Sequence, residues 1–170
     1  MKKEIHRPRN LIEKIYQCPE ELSPIIEKFK EESKTIVFGN GCFDLLHVGH
    51  INYLYEAKKQ GDVLIIAINT DESISRIKPD RKLTTPYNER SILIASIEAV
   101  DYVIPLVEDT PISLLKIFKP NIHTKGTDYT PDRLPERETV QSYGGRIMFV
   151  GGPKNHSTTQ LISNIRNYNK

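Results

Sequence analysis

Residues 62–69 read Asp-Val-Leu-Ile-Ile-Ala-Ile-Asn, an apolar run without polar alternation. A strand with one buried face alternates with period two, so this run has to be covered on both faces. Such strands sit inside parallel sheets whose crossovers are helices. The rest of the chain supplies that pattern. Residues 35–41 form a second short apolar run, ended by glycines. Residues 48–61 carry Ile51, Leu54, Tyr55 and Ala57 at helical spacing and close on Gly61, which reads as a glycine helix stop. A loop follows the 62–69 strand as far as residue 86. Helices are then expected over 86–100, 110–118, 132–145 (with a glycine stop) and 157–168. Strands are expected over 101–106, 121–125 and 146–150. Strand and helix alternate five times, which predicts an α/β, Rossmann-like, doubly wound fold. Its core is a mainly five-stranded parallel sheet with helices on both faces.

The 170 residues suit one domain core with little room for a second. Residues 1–34 are polar and read as an N-terminal helical extension, followed by a domain over 35–170. Within the extension, Ser23 reads as an N-cap and Pro24 as the first residue of a helix running to about residue 32. That helix is spare material for a contact between copies, and a homodimer or higher homo-oligomer is the expectation. A net charge of +2 without a basic stripe argues against nucleic acid. No apolar run follows the basic start MKKEI, so neither a signal peptide nor a membrane span is expected. A cytoplasmic location follows, in which Cys18 and Cys42 stay reduced.

The chemistry concentrates in Gly-Asn-Gly-Cys-Phe-Asp-Leu-Leu-His-Val-Gly-His, residues 39–50. Cys42, Asp44, His47 and His50 could ligate zinc, but no CxxC pair accompanies them. Cys42 could be a nucleophile with a histidine base, but nothing marks it as acidified. A small packing cysteine beside a tight turn is the simpler reading. A phosphate cradle accounts for more. Gly39 and Gly41 would let the backbone approach a ligand closely. The helix starting near Val48 would point free N–H groups and its positive end at the same place. Gly49 in the first turn weakens the helix, which suggests that something packs there. His47 and His50 frame it and can face one set of phosphates. Asp44 stands where a dinucleotide-binding fingerprint needs its third glycine, so that motif is excluded.

His47-Val48-Gly49-His50 resembles the HxGH signature of the nucleotidyltransferase superfamily. Glu89-Arg90, Lys125-Gly126-Thr127-Asp128-Tyr129 and Ser157-Thr158-Thr159 follow it in order. The four motifs together are similar to the adenylyltransferases that act on D-glycero-D-manno-heptose 1-phosphate. The resemblance implies ATP and a sugar phosphate as substrates, ADP-heptose and pyrophosphate as products, and a role in surface glycan synthesis such as lipopolysaccharide core. It implies catalysis by His47, His50 and Lys125. Nucleotide contacts would come from Gly39, Asn40, Gly41, Cys42, Phe43, Asp44, Gly49, Arg90, Gly126, Asp128, Ser157, Thr158 and Thr159. Asp71, Arg81 and Lys82 are candidates for the sugar phosphate, although Asp71 could equally be an ordinary N-cap and Ser157 to Thr159 plain helix caps. Mg²⁺ is expected on the triphosphate oxygens with water ligands, without a protein metal site.

Two positions depart from the family: Arg81-Lys82 where Arg-Pro is common, and Thr127 where a second glycine is common. Bacterial members are often fused to a sugar kinase, for which this length leaves no room, so heptose 1-phosphate is expected to be made elsewhere. A cytidylyltransferase acting on glycerol 3-phosphate is the nearest alternative. Its usual Gly-Thr-Phe-Asp and Arg-Thr-x-Gly-Ile-Ser-Thr motifs are replaced here by Gly41-Cys42-Phe43-Asp44 and by residues 153–158. A nucleotide-binding module without turnover is the alternative of another class.

Overall fold

The structure, a computed structural model, describes residues 10–127, 129–130, 134–152 and 158–168. Strands β1 (Ile36–Gly41), β2 (Val63–Asn69), β3 (Tyr102–Leu106), β4 (Ile122–Gly126) and β5 (Arg146–Val150) form one sheet in the order β3-β2-β1-β4-β5. Every pairing is parallel. All seven residues of β2 are buried. Val63, Ile65 and Ala67 face one core, and Leu64, Ile66 and Ile68 face the other. The two-sided burial read from residues 62–69 is therefore met by one apolar layer on each face.

Helices α1 (Pro19–Glu31), α5 (Ile112–Phe118) and α6 (Arg137–Ser142) cover the first face. Helices α2 (Val48–Lys58) and α4 (Tyr87–Ala95) cover the second. A short α3 (Asp71–Ile77) follows β2, and α7 (Thr158–Tyr168) ends the described chain. Pro105 lies in edge strand β3, where a missing N–H costs no ladder bond on the open side. That edge is covered in part: Ile15 bridges to Val103, and the Tyr16 N–H donates to the Val103 carbonyl at 2.9 Å. Residues 10–34 thus share the core of the sheet, with Leu22, Ile26 and Phe29 of α1 buried in it.

Local expectations differ from the structure at four points. Helix α1 starts at Pro19 rather than at Pro24. Pro19 occupies the tolerated N-terminal position, and Ser23 donates its hydroxyl to the Pro19 carbonyl instead of capping. The stretch after β2 is helical because Thr70 caps it, its hydroxyl accepting the Ser73 N–H at 3.2 Å, and because Ile74 is buried. This also removes the N-cap role considered for Asp71. Gly61 is not a left-handed stop: a Cβ there would lie 2.7 Å from the Thr35 carbonyl oxygen, so its small size serves packing. Gly144 does stop α6, with φ 81°. The N–H groups of Gly144 and Gly145 close on the Gln141 and Val140 carbonyls in the reciprocal pattern of a Schellman end.

Leu22→Ala tests whether α1 belongs to the domain core. It is expected to cost about 2–5 kcal/mol in urea unfolding, as for a core leucine, in a single cooperative transition.

Candidate active site

Strand order reverses between β1 and β4, and the crevice beyond their C-terminal ends is where open α/β sheets bind ligands. A cleft of about 1270 Å³ opens there, large enough for two substrates together. Asn40, Gly41, Cys42, Phe43, Asp44, His47, Gly49 and His50 line it from β1 and the start of α2. Arg81 and Lys82 come from the loop before α4, and Lys125 and Gly126 from β4. Helix α7 contributes Ile162, Ser163 and Asn167.

His47 takes the N-cap position of α2 with an extended backbone, and His50 follows in the first turn. Their rings stack with centroids 3.8 Å apart, and Phe43 packs against His50 at 5.3 Å. Two imidazoles thus stand side by side at the positive end of a helix. The four groups considered for zinc do not converge. Asp44 accepts the Thr84 and Thr85 N–H groups at 3.0 and 3.1 Å. Cys42 is half-buried on the cleft wall, with the Lys78 ammonium 3.7 Å from its Sγ. Among the described residues, no group of three or more His, Cys, Asp or Glu side chains is arranged to hold a metal ion.

The glycines act differently from a bare cradle. Neither Gly39 nor Gly41 has positive φ; the left-handed residue of the turn is Phe43, with φ 48°. A Cβ on Gly39 would lie 2.4 Å from the Tyr53 hydroxyl, and one on Gly41 2.9 Å from the Phe43 ring. Gly39 therefore lies beneath the cleft and makes room for Tyr53, whose hydroxyl sits 3.1 Å from Thr124 Oγ1. Burial pushes the Tyr53 phenol up to about 12, so it remains a neutral donor.

Arg90 is also placed beneath the cleft rather than on its wall, and it is wholly buried. Its Nε donates to the Thr85 carbonyl at 3.0 Å. Nη1 donates to the Cys42 and Asn69 carbonyls at 2.5 and 2.8 Å, and Nη2 to Asp71 at 2.5 Å. The arginine matched to the family's Glu-Arg motif is here a brace under the site, and Asp71 is its counter-ion. Arg81 lies 3.5 Å from Asp44, on the loop that Asp44 pins. Asp128 and Ser157 lie outside the described residues, as do the side chains of Thr158 and Thr159 at the start of α7.

Several cleft groups escaped sequence reasoning. Asn69, Lys78, Tyr129 and Glu136 line the cleft, as do Gly151 and Gly152 after β5, with φ 101° and 69°. Lys125 is 7% exposed, and its ammonium donates to Asn40 Oδ1 at 2.9 Å and pairs with Glu136 at 2.5 Å. The same Glu136 oxygen lies 3.1 Å from His123 Nε2. Burial alone would raise the Glu136 carboxyl, but the His123 hydrogen bond and the Lys125 charge outweigh it and hold the group down at about 2. Burial lowers the His123 pKa and Lys125 adds to that, against the pull of Glu136. Both His123 ring nitrogens face oxygens, Nδ1 the Phe38 carbonyl at 3.1 Å and Nε2 the Glu136 carboxylate at 3.1 Å.

Residues 38–163 match the cytidylyltransferase-like family. Among curated relatives, the bifunctional protein HldE of Geobacter metallireducens is 44% identical over 144 residues, which is 85% of this chain and 29% of that protein. HldE of Ectopseudomonas mendocina is 44% identical over 142 residues, 84% of this chain and 30% of that protein. The chain thus spans about three tenths of the length of these relatives. Among solved structures, the lipopolysaccharide core biosynthesis protein of Thermoplasma volcanium aligns with TM-score 0.59 and 30% identity, covering 69% of this chain and 96% of that one. Pantoate-beta-alanine ligase of Francisella tularensis aligns with TM-score 0.55 over 92% of this chain and 78% of that one. At 17% identity this is a likeness of fold.

Two predictions follow from the buried groups. Glu136 and His123 both sit below their unfolded values of 4.5 and 6.5, so each adds stability above its unfolded value and loses it as pH falls toward its folded one. Urea midpoints are expected to hold above pH 6.5, fall as pH drops below it, and fall further below 4.5 toward 2. His123→Gln removes the first of these steps. Arg90→Met strands three carbonyls and Asp71, and is expected to cost about 3–5 kcal/mol by the same measurement.

Proposed function

The chain belongs to the cytidylyltransferase-like family of nucleotidyltransferases, and we propose that it is the adenylyltransferase that joins ATP and D-glycero-D-manno-heptose 1-phosphate. The products are ADP-heptose and pyrophosphate. The observation that carries the reading is the meeting of His47, His50 and Lys125 in one cleft at the sheet's switch point. Relatives named HldE and a structural neighbour named for lipopolysaccharide core biosynthesis support a surface-glycan setting.

A sugar-phosphate oxygen attacks the α-phosphorus of ATP. A P–O bond forms to the sugar phosphate, and the bond from the α-phosphorus to the bridging oxygen breaks. Pyrophosphate leaves with the electron pair. A phosphate monoester has its second pKa at about 6 and is largely dianionic at neutral pH, so no side chain has to remove a proton. The protein's task is to align the two phosphates and to stabilise charge on the α-phosphate and the departing pyrophosphate. In this reading His47 and His50 donate to the phosphates at the α2 N-terminus, and Lys125 approaches from β4. Arg81, Lys82 and Lys78 offer cations to the sugar phosphate or the pyrophosphate. Mg²⁺ would neutralise triphosphate charge while keeping most of its waters, which suits a cleft lined by Asp80 with no cluster of three or more metal-ligating side chains among the described residues. No described helix is long and apolar enough to cross a membrane. A cytoplasmic location and a homodimer or higher homo-oligomer complete the reading, the latter checked by sedimentation velocity.

The test is a pyrophosphate-release screen of ATP, CTP, GTP and UTP against heptose 1-phosphate, glycerol 3-phosphate and ethanolamine phosphate. Release from ATP that depends on heptose 1-phosphate is expected. Preferred use of CTP with glycerol 3-phosphate would overturn the adenylyl assignment, and nucleotide binding without turnover would make the chain a binding module. His47→Ala and His50→Ala are each expected to lower kcat by about 10²–10³. Thermal unfolding should change by no more than about 1 kcal/mol in either variant.

A further inference from the structure

Behind Lys125 lie two buried titratable groups that the phosphate chemistry does not use. His123 and Lys125 are two residues apart in β4 and so share a face of the strand. Glu136, 1% exposed at the entry to α6, meets both. The result is a continuous chain of polar contacts. His123 Nδ1 lies 3.1 Å from the Phe38 carbonyl, and Nε2 lies 3.1 Å from Glu136 Oε1. That oxygen pairs with the Lys125 ammonium at 2.5 Å, and the ammonium donates to Asn40 at 2.9 Å.

We infer that Glu136, backed by His123, is a positioning residue that holds the Lys125 ammonium in the cleft, oriented toward a phosphate. An ammonium has three donors on a flexible four-carbon stem. Two fixed acceptors, Asn40 Oδ1 and Glu136 Oε1, take two of them, and the remaining side of the ammonium faces the cleft wall at Tyr129, whose ring centroid lies 5.3 Å away. A charge held in place before the reaction stabilises the transition state without reorganisation. Glu136 also supplies the counter-ion without which a buried ammonium is costly. A purely architectural tie between β4 and α6 would have no reason to reach the cleft, yet both Lys125 and Glu136 line it. His123 completes the arrangement: packed against Phe38 at 5.8 Å between centroids, it fixes the carboxylate from behind. The inference rests on the adenylyltransferase reading for its catalytic consequence, but its structural half can be read without any substrate.

The experiment compares the parent chain with Glu136→Gln, Glu136→Asp and His123→Gln. In ¹⁵N-lysine-labelled protein without substrate, an ammonium held by two acceptors gives a protected Nζ resonance, assigned by its loss in Lys125→Arg. That resonance is expected to broaden away in E136Q and to persist in E136D. In pyrophosphate release, E136Q is expected to lower kcat about tenfold or more with KM for ATP within threefold, because the loss falls on the transition state. E136D is expected to restore most of it. A folded E136Q with an unchanged Lys125 resonance, or with kcat within twofold of the parent, overturns the inference. Should E136Q not fold, H123Q decides: loosening Glu136 is expected to broaden the same resonance and lower kcat at least threefold, and an unchanged resonance overturns the inference. A parent chain inactive on every nucleotide and phosphate pair, with the resonance behaving as expected, defeats the functional reading while leaving the anchoring of Lys125 intact.

Discussion

The guanidinium of Arg90 is the interaction on which the geometry of the site depends. It comes from the second turn of α4 and reaches, fully buried, under the cleft floor. Its four hydrogen bonds collect the carbonyl just after β1, the last carbonyl of β2, the carbonyl of Thr85 and the carboxylate of Asp71. Strand ends in a parallel sheet leave carbonyls without ladder partners, and a buried carbonyl without a donor is costly. Arg90 is long, planar and permanently charged, and one side chain serves three such carbonyls while Asp71 balances its charge. Lysine could not do this, because it lacks the fork.

With the floor fixed, the walls follow. Asp44 holds the backbone of Thr84 and Thr85, so the loop carrying Arg81 and Lys82 is drawn toward the turn that leads into α2. That turn is compact because the aromatic rings of Tyr53 and Phe43 fill the space above Gly39 and Gly41. On the opposite side, the chain from Phe38 through His123 and Glu136 fixes Lys125. Two cations of the cleft, Arg81 and Lys125, are thereby paired with the buried carboxylates of Asp44 and Glu136 around an open space. Such an arrangement favours anions there while these two charges remain compensated.

Much of the fold was legible because burial leaves a direct trace in residue type. The unbroken apolar run of β2 and the helical spacing around Leu54 predict the two-sided sheet, and its five parallel strands follow. Capping was less legible. Pro19 and Pro24 are equally suited to a helix start, and only the packing of Leu22 against the sheet selects the first. Thr70 began a helix that its polar sequence hides, since Ile74 is its one buried apolar side chain and the other buried residue, Ser73, is polar. Gly39 and Gly61 looked like backbone devices, but both answer to a neighbour's side chain or carbonyl that is distant in sequence.

The same division runs through the site. The sequence by itself determined that two glycines, a helix start and the pair His47 and His50 gather at the end of β1, because they are close along the chain. It also determined that Lys125 reaches the same edge, since β4 ends there. Only the tertiary structure decided that Arg90 is a brace rather than a wall, and that Glu136 and His123 stand behind Lys125. Those roles are set by burial and by partners that come from other elements: Cys42, Asn69 and Asp71 for Arg90, and β1 and the α6 entry for the lysine. A residue's type limits the bonds it can make, but whether a charge faces solvent, substrate or a carbonyl is settled when the crossovers bring distant segments together.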